Sequence, residues 1–172
     1  RHEYEISADE RLVTLFVASD LEQEMAGSLS EETFAEDRNN SGLSEGAYEI
    51  DPLRKSQYAR LSMQWDKQDG DMSYSVIPYL RHRTNNYTAT WTKNTPNVES
   101  EVNTLGLLAL TNIEHQSDAQ TSFGIDIELT EGDQLSYQAF FVETFGYGDA
   151  EYFEGTKFYD DTTRFTRYSP YV

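Results

Sequence analysis

The residues of this chain best suited to chemistry come in alternating pairs. Arg81 and Arg83 are separated by one residue, and so are Asp126 and Glu128. In an extended chain that spacing puts both members of a pair on one face. Two guanidiniums so placed can hold a carboxylate- or catecholate-type ligand bidentately, or be taken up in internal ion pairs. Two carboxylates so placed could divide acid and base roles, but a hydrated polar surface accounts for them without chemistry. Tyr87 and Trp91 could stack on a ligand ring or sugar, or pack within a loop or at an interface. His2, His82 and His115 lack the i, i+4 or His-x-His spacing of a metal site. The acidic group Glu31, Glu32, Glu36 and Asp37 lacks the Asp-x-Asp-x-Asp-Gly pattern of a calcium loop. The sequence has no phosphate-cradling glycine loop or zinc-protease motif, and its Gly-x-Ser-x-Gly match, Gly42–Gly46, falls in a polar stretch with no apolar strand before it to make a nucleophile elbow. No catalytic residue, metal or cofactor is expected, and the chain is not read as an enzyme.

The elements that must position these residues are strands. Helical periodicity is poor throughout, whereas alternation with period two recurs. From Thr121 to Thr130, Phe123, Ile125, Ile127 and Leu129 take one face, and Ser122, Gly124, Asp126 and Glu128 take the other. One side suits hydrocarbon and the other water. Asn103 to Glu114, Gln57 to Trp65 and Met72 to Arg83 repeat the pattern, with Leu61, Met63 and Trp65 opposite Arg60, Ser62 and Gln64. Pro78 is awkward inside a strand because it removes a ladder donor, and a bulge is expected there.

Connection lengths alternate as well. Short polar turns are predicted at Ala8–Glu10, Asp66–Asp71 and Glu114–Gln120, and long polar loops at Ala26–Ser56, Thr84–Asn103 and Gly146–Gly155. About seven strands of about 10 residues follow, the length a tilted strand needs to cross a bilayer. Short turns at one end and long loops at the other are how bacterial barrels separate periplasmic from extracellular connections. Aromatics, 13% of residues, fall near many predicted strand ends; Trp65, Tyr79, Tyr87 and Trp91 would suit an interfacial girdle.

Composition agrees with this placement. The net charge of −18 disfavours nucleic acid and acidic substrates. It suits a cation-rich surface such as divalent-bridged lipopolysaccharide, or a marine or halophilic host. Cysteine is absent, so there is no disulfide or thiolate chemistry. No apolar run approaches the roughly 20 residues of a membrane helix.

The runs SVIPYLRHR (Ser75–Arg83), TPNVESEVNTLGL (Thr95–Leu107) and FGIDIELTEGDQLSYQA (Phe123–Ala139) resemble, in order and spacing, the middle barrel strands of TonB-dependent outer-membrane receptors. LEQEMAG (Leu21–Gly27) and GAYEIDPLRKSQYARLSMQW (Gly46–Trp65) resemble the preceding hairpin. The resemblance implies an all-β chain, residues 1–172 supplying about six to eight antiparallel transmembrane strands of a barrel of about 22. It implies a fragment without plug domain, TonB box or closing strand. It further implies energised uptake of a scarce nutrient (siderophore-iron, haem, cobalamin or a glycan) across the outer membrane of a Gram-negative bacterium. The partners implied are outer-membrane lipid and lipopolysaccharide, TonB acting through the missing plug, and a small-molecule or metal-chelate ligand. Under this reading Arg81, Arg83, Tyr87 and Trp91 contact ligand, and Asp126 and Glu128 face the lumen.

Two other readings are open. One is a complete eight-stranded outer-membrane barrel with a structural or adhesive role, which conflicts with an odd strand count. The other is a soluble β-sandwich binding carbohydrate, which would need the Phe123/Ile125/Ile127/Leu129 and Leu61/Met63/Trp65 faces to meet in one core.

Overall fold

The alternating stretches do form strands, and they form one sheet. The computed structural model describes residues 1–43, 45–90, 96–115, 119–144 and 150–172. In chain order the elements are β1 (His2–Ser7), β2 (Glu10–Glu24), α1 (Glu31–Glu36), α2 (Glu45–Glu49), β3 (Leu53–Asp69), β4 (Met72–Thr88), β5 (Pro96–Glu114), β6 (Gln120–Gln138), β7 (Val142–Thr144), β8 (Ala150–Tyr152) and β9 (Lys157–Tyr171). The fold is all-β. The sheet has seven strands in the order β1-β2-β3-β4-β5-β6-β9, all antiparallel and open at both edges. The β7–β8 hairpin stands apart as a second, two-stranded sheet.

Six of the seven strands run for 15 to 19 residues, well beyond the expected ten. The connection expected over Thr84–Asn103 is correspondingly short, because Thr84↔Glu101 and Asn86↔Glu99 remain paired. The positions that continue the apolar face are polar there (Thr84, Asn86, Glu99, Glu101), and Val98 and Val102 lie on the opposite face, so the alternation is not sustained while the backbone ladder continues. Pro78 sits opposite Leu107 in unbroken register, so the expected bulge is absent from β4–β5. On the β3 side pairing lapses between Ser62↔Tyr79 and Trp65↔Val76 and resumes in the same register. The missing donor therefore interrupts the ladder without shifting it.

The three short connections lie at one end of the sheet, at Ala8–Asp9, Gly70–Asp71 and 115–119. Gly70 has φ 58°, the left-handed conformation a two-residue turn asks of glycine. The longer connections, 25–52 and 139–156, lie at the other end with 89–95. Within 25–52, Ser30 caps α1 by accepting the Thr33 N–H at 3.1 Å, and Glu31 and Glu32 occupy its first turn, where carboxylates suit the helix dipole. That accounts for part of the acidic group structurally.

Register assigns every residue to a face. Phe16, Leu61, Leu80, Leu105 and Leu129 lie on one hydrogen-bonded row and therefore on one face. Leu80, Leu105 and Leu129 on this face are exposed, about half of each residue's surface. On the other face Ser62, Thr104, Glu128 and Thr130 are buried, each at 8% exposure or less. A soluble sheet hides its apolar face, whereas this one presents it and packs its polar groups on one another. The Leu61 and Leu129 strips share one side of one sheet, so they cannot meet as two halves of a sandwich core.

The rows also slant. Along Glu10–Lys67–Tyr74–Thr111–Phe123 the first short turn lies immediately beside Glu10, the second starts three residues past Lys67, and the third is centred six past Thr111. The apolar band drifts the same way. On β2 and β3 it spans Leu12–Ala18 and Trp65–Ala59; on β4 and β5 it spans Met72–Leu80 and Ile113–Leu105. Its lower limit falls by two same-face positions between those pairs and its upper limit by one. The turns are thus offset from the hydrogen-bond rows by about one residue per strand, which is the stagger of strands tilted by about 35–45°. The band follows them from β3 to β4, whereas on β6 it spans Phe123–Leu129, level with Leu105 at its upper limit and one same-face position short of Ile113 at its lower.

Candidate functional site

The centre of the polar face is organised around Glu128 on β6. Tyr79 Oη donates to Glu128 Oε2 at 2.7 Å, and Thr130 Oγ1 donates to Oε1 at 3.2 Å. Arg81 Nη2 donates to Oε1 at 3.4 Å and to Thr104 Oγ1 at 3.2 Å. From the other side Arg167 Nη2 reaches Glu128 Oε2 at 3.5 Å and Asp126 Oδ2 at 2.6 Å. Three strands, β4, β6 and β9, therefore share one carboxylate, which accepts from four donors. Arg60 on β3 joins through its guanidinium, 4.6 Å from the Tyr79 ring centroid. Arg60, Tyr79, Arg81, Asp126, Glu128 and Arg167 line a cavity of about 370 Å³ together with Ile77 and Leu108.

Tyr79 reaches Glu128 because the strand between them carries no side chain at the crossing. Gly106 on β5 lies opposite Tyr79, and a Cβ there would overlap the tyrosine ring. The same packing recurs at the sheet edge, where Tyr171 of β9 covers Gly124 of β6. Gly106→Ala is expected to displace the Tyr79 ring and cost about 1–3 kcal/mol. The same substitution made in a Tyr79→Ala background should cost close to nothing, because the two residues interact directly. Unfolding titrations of the four proteins of that cycle check this, and equal losses in both backgrounds would remove Tyr79–Gly106 packing as the cause.

A second polar cluster sits nearer the short turns. Asp66 accepts from Gln64 at 2.9 Å, Arg11 at 2.8 Å and Ser75 at 2.8 Å, tying β2, β3 and β4 together. On the opposite face Trp65 Nε1 donates to Glu10 at 2.7 Å, a ring with one apolar side and one polar end at the lower limit of the apolar band.

Of the residues singled out in the sequence, Arg81, Asp126 and Glu128 are brought together, and Arg81 is engaged in an internal ion pair. Arg83 shares their face one same-face position toward the long connections, and Tyr87 lies two further along β4. Trp91 lies outside the described residues. Tyr79 is not at a strand end as its girdle assignment required; it is mid-strand on the polar face, because β4 continues to Thr88. Sequence reasoning also passed over Arg60, Thr130 and Arg167. The available signal was Tyr79 and Gly106 each flanked by apolar alternation, a large and an absent side chain that one register places in contact.

No family model, curated protein or solved structure matches this chain.

Proposed function

We propose that this chain is wall of a transmembrane β-barrel in a bacterial outer membrane, and that the barrel is a transport receptor of the TonB-dependent kind. The observation that carries the membrane reading is the inverted sheet: an exposed apolar face and a packed polar face, with the short connections gathered at one end. From Leu105 to Ile113 the band runs about 26 Å along β5, or about 20 Å in height after a tilt of about 40°. With side-chain reach added at each limit, that approaches the apolar girdle of about 25 Å on outer-membrane barrels. The apolar face then meets lipid and the polar face a hydrated lumen, with the short turns periplasmic and the long connections outside. The receptor assignment rests on the ordered strand motifs and on a polar lumen wall with cationic groups that a small ligand can meet. The barrel wall binds; coupling to TonB belongs to a plug.

Because the sequence has no cysteine, single reporters can test the two faces in the native protein. Bimane on Leu105→Cys or Leu129→Cys is expected to be quenched by brominated lipid, and on Thr104→Cys or Thr130→Cys by aqueous iodide. Equal or reversed quenching would overturn the membrane assignment. Detergent-extracted native protein should also shift its gel mobility on boiling, and cooperative folding as a detergent-free monomer would exclude a barrel.

A further inference from the structure

On the half of the sheet beyond Glu128, toward the long connections, the charges are sorted between the two faces. There the polar face carries Arg54, Arg60, Arg81 and Arg83 on β3 and β4. From β2 to β6 this half-face has no Asp or Glu among the described residues, and Asp161 on β9 is the one carboxylate nearby. The reverse side of the same half carries most of the acid, including Glu22, Glu24, Glu99, Glu101, Glu131 and Asp133. In a chain of net charge −18, a carboxylate-free arginine surface is the opposite of what composition favours.

Its centre is also electrostatically unfinished. Arg60 and Arg81 are directly opposite each other across β3–β4, an arrangement of like charges that is unfavourable unless something neutralises it. Arg81 has Glu128, but that carboxylate is already shared with Arg167, Tyr79 and Thr130. Arg60 has an aromatic face and no carboxylate, and its buried Nε has no hydrogen-bond partner among the described residues. Arg83, the next residue on this face and exposed, has no ion-pair partner among the described residues either. Arg60, Arg81 and Arg83 thus occupy neighbouring positions of one face, with the shared Glu128 the one carboxylate paired to any of them among the described residues, and Tyr58 and Thr104 beside them.

We infer that the Arg60–Arg81–Arg83 wall is an oxyanion-binding site that takes a carboxylate or phosphate group of a small ligand. Guanidinium forks match both groups bidentately, and the acidic reverse side leaves this wall as the place where an anion gains rather than loses by approach. The inference rests on the receptor reading only for the direction of approach, from the side of the long connections.

Calorimetry on the native protein in detergent at low ionic strength tests it, with citrate as carboxylate probe and inorganic phosphate as the other. At least one is expected to bind saturably, and which one binds identifies the group. Arg83→Gln and Arg60→Gln should each weaken that binding about ten- to hundredfold. Arg164→Gln, on the reverse face, should leave it unchanged, and added salt should weaken it in the wild type. Arg83 is exposed and unpaired, so its substitution reports on binding rather than folding. Absence of saturable binding by both probes, or equal loss in Arg164→Gln, would overturn the site. Bimane quenching and heat-modified mobility do not depend on any anion, so a failure of the barrel reading is seen separately.

Discussion

Leu107→Arg is expected to cost about 1–3 kcal/mol when the protein is unfolded from lipid vesicles, between the midplane and interface values for a lipid-facing arginine. Leu107 lies inside the apolar band, one same-face position from its upper limit at Leu105 and between Pro78 and Ile127 on its row, and is already exposed in the sheet. Water would accept arginine at such a position with a change within about 0.5 kcal/mol. Hydrocarbon would not, because a guanidinium placed there must keep its hydration by drawing water and headgroups inward. The expected loss therefore measures the solvent of this face, not a contact within the chain. Glu101→Arg provides the comparison, since it lies on the same strand and face but above the band. It should change stability by less than about 1 kcal/mol. Urea titrations in vesicles, followed by tryptophan fluorescence, give both values. A Leu107→Arg protein as stable as wild type would mean that this face meets water.

Glu128→Ala is the second large effect expected, at about 2–3 kcal/mol. Glu128 is 7% exposed and accepts from Tyr79, Thr130, Arg81 and Arg167. Its removal leaves a phenol and a hydroxyl without their acceptor, and sets Arg81 and Arg167 next to Arg60 with only Asp126 remaining. Losing one partner of a fully buried charge pair costs more, about 3–5 kcal/mol. Here Arg81 and Arg167 are partly exposed and regain water, which lowers the figure. Glu128→Gln keeps an acceptor for Tyr79 and should lose about half as much. Asp126→Ala, whose ion pair involves the half-exposed Arg167, should lose less than about 1 kcal/mol. The same urea titrations rank the three variants. Equal small losses at Glu128 and Asp126 would deny Glu128 its place as the hub.

Much of this structure could be read along the chain. Period-two alternation located β3 to β6, and the apolar residues of Phe123–Leu129 and Leu61–Trp65 marked the face they occupy. Gly70 and its acidic neighbours marked a tight turn, and the alternation of short and long connections set all short turns at one end. What alternation could not locate was the upper third of each strand. At Thr84–Thr88 the side chains carry almost no apolar period, and on Pro96–Asn103 the apolar residues Val98 and Val102 lie on the face opposite Leu105, so the pattern that marks the lower strand does not continue and backbone pairing extends the strand.

The site was legible in part for a related reason. Within a strand, Arg81 and Arg83 share a face by spacing alone, and so do Asp126 and Glu128. Whether Arg81 then meets Glu128, or Arg60, depends on the registers of three separate ladders, and a slip of one residue in any of them would turn one set to the opposite face. Tyr79 shows the same limit, since its path to Glu128 exists because the register sets Gly106 beneath its ring. The sequence by itself determined that these are two-faced strands with an apolar side, a polar side and a short-turn end. Only the tertiary structure decided which polar residues share a wall, because pairing across strands, not order along them, sets Arg60 and Arg81 beside each other and brings Arg81 and Arg167 to Glu128.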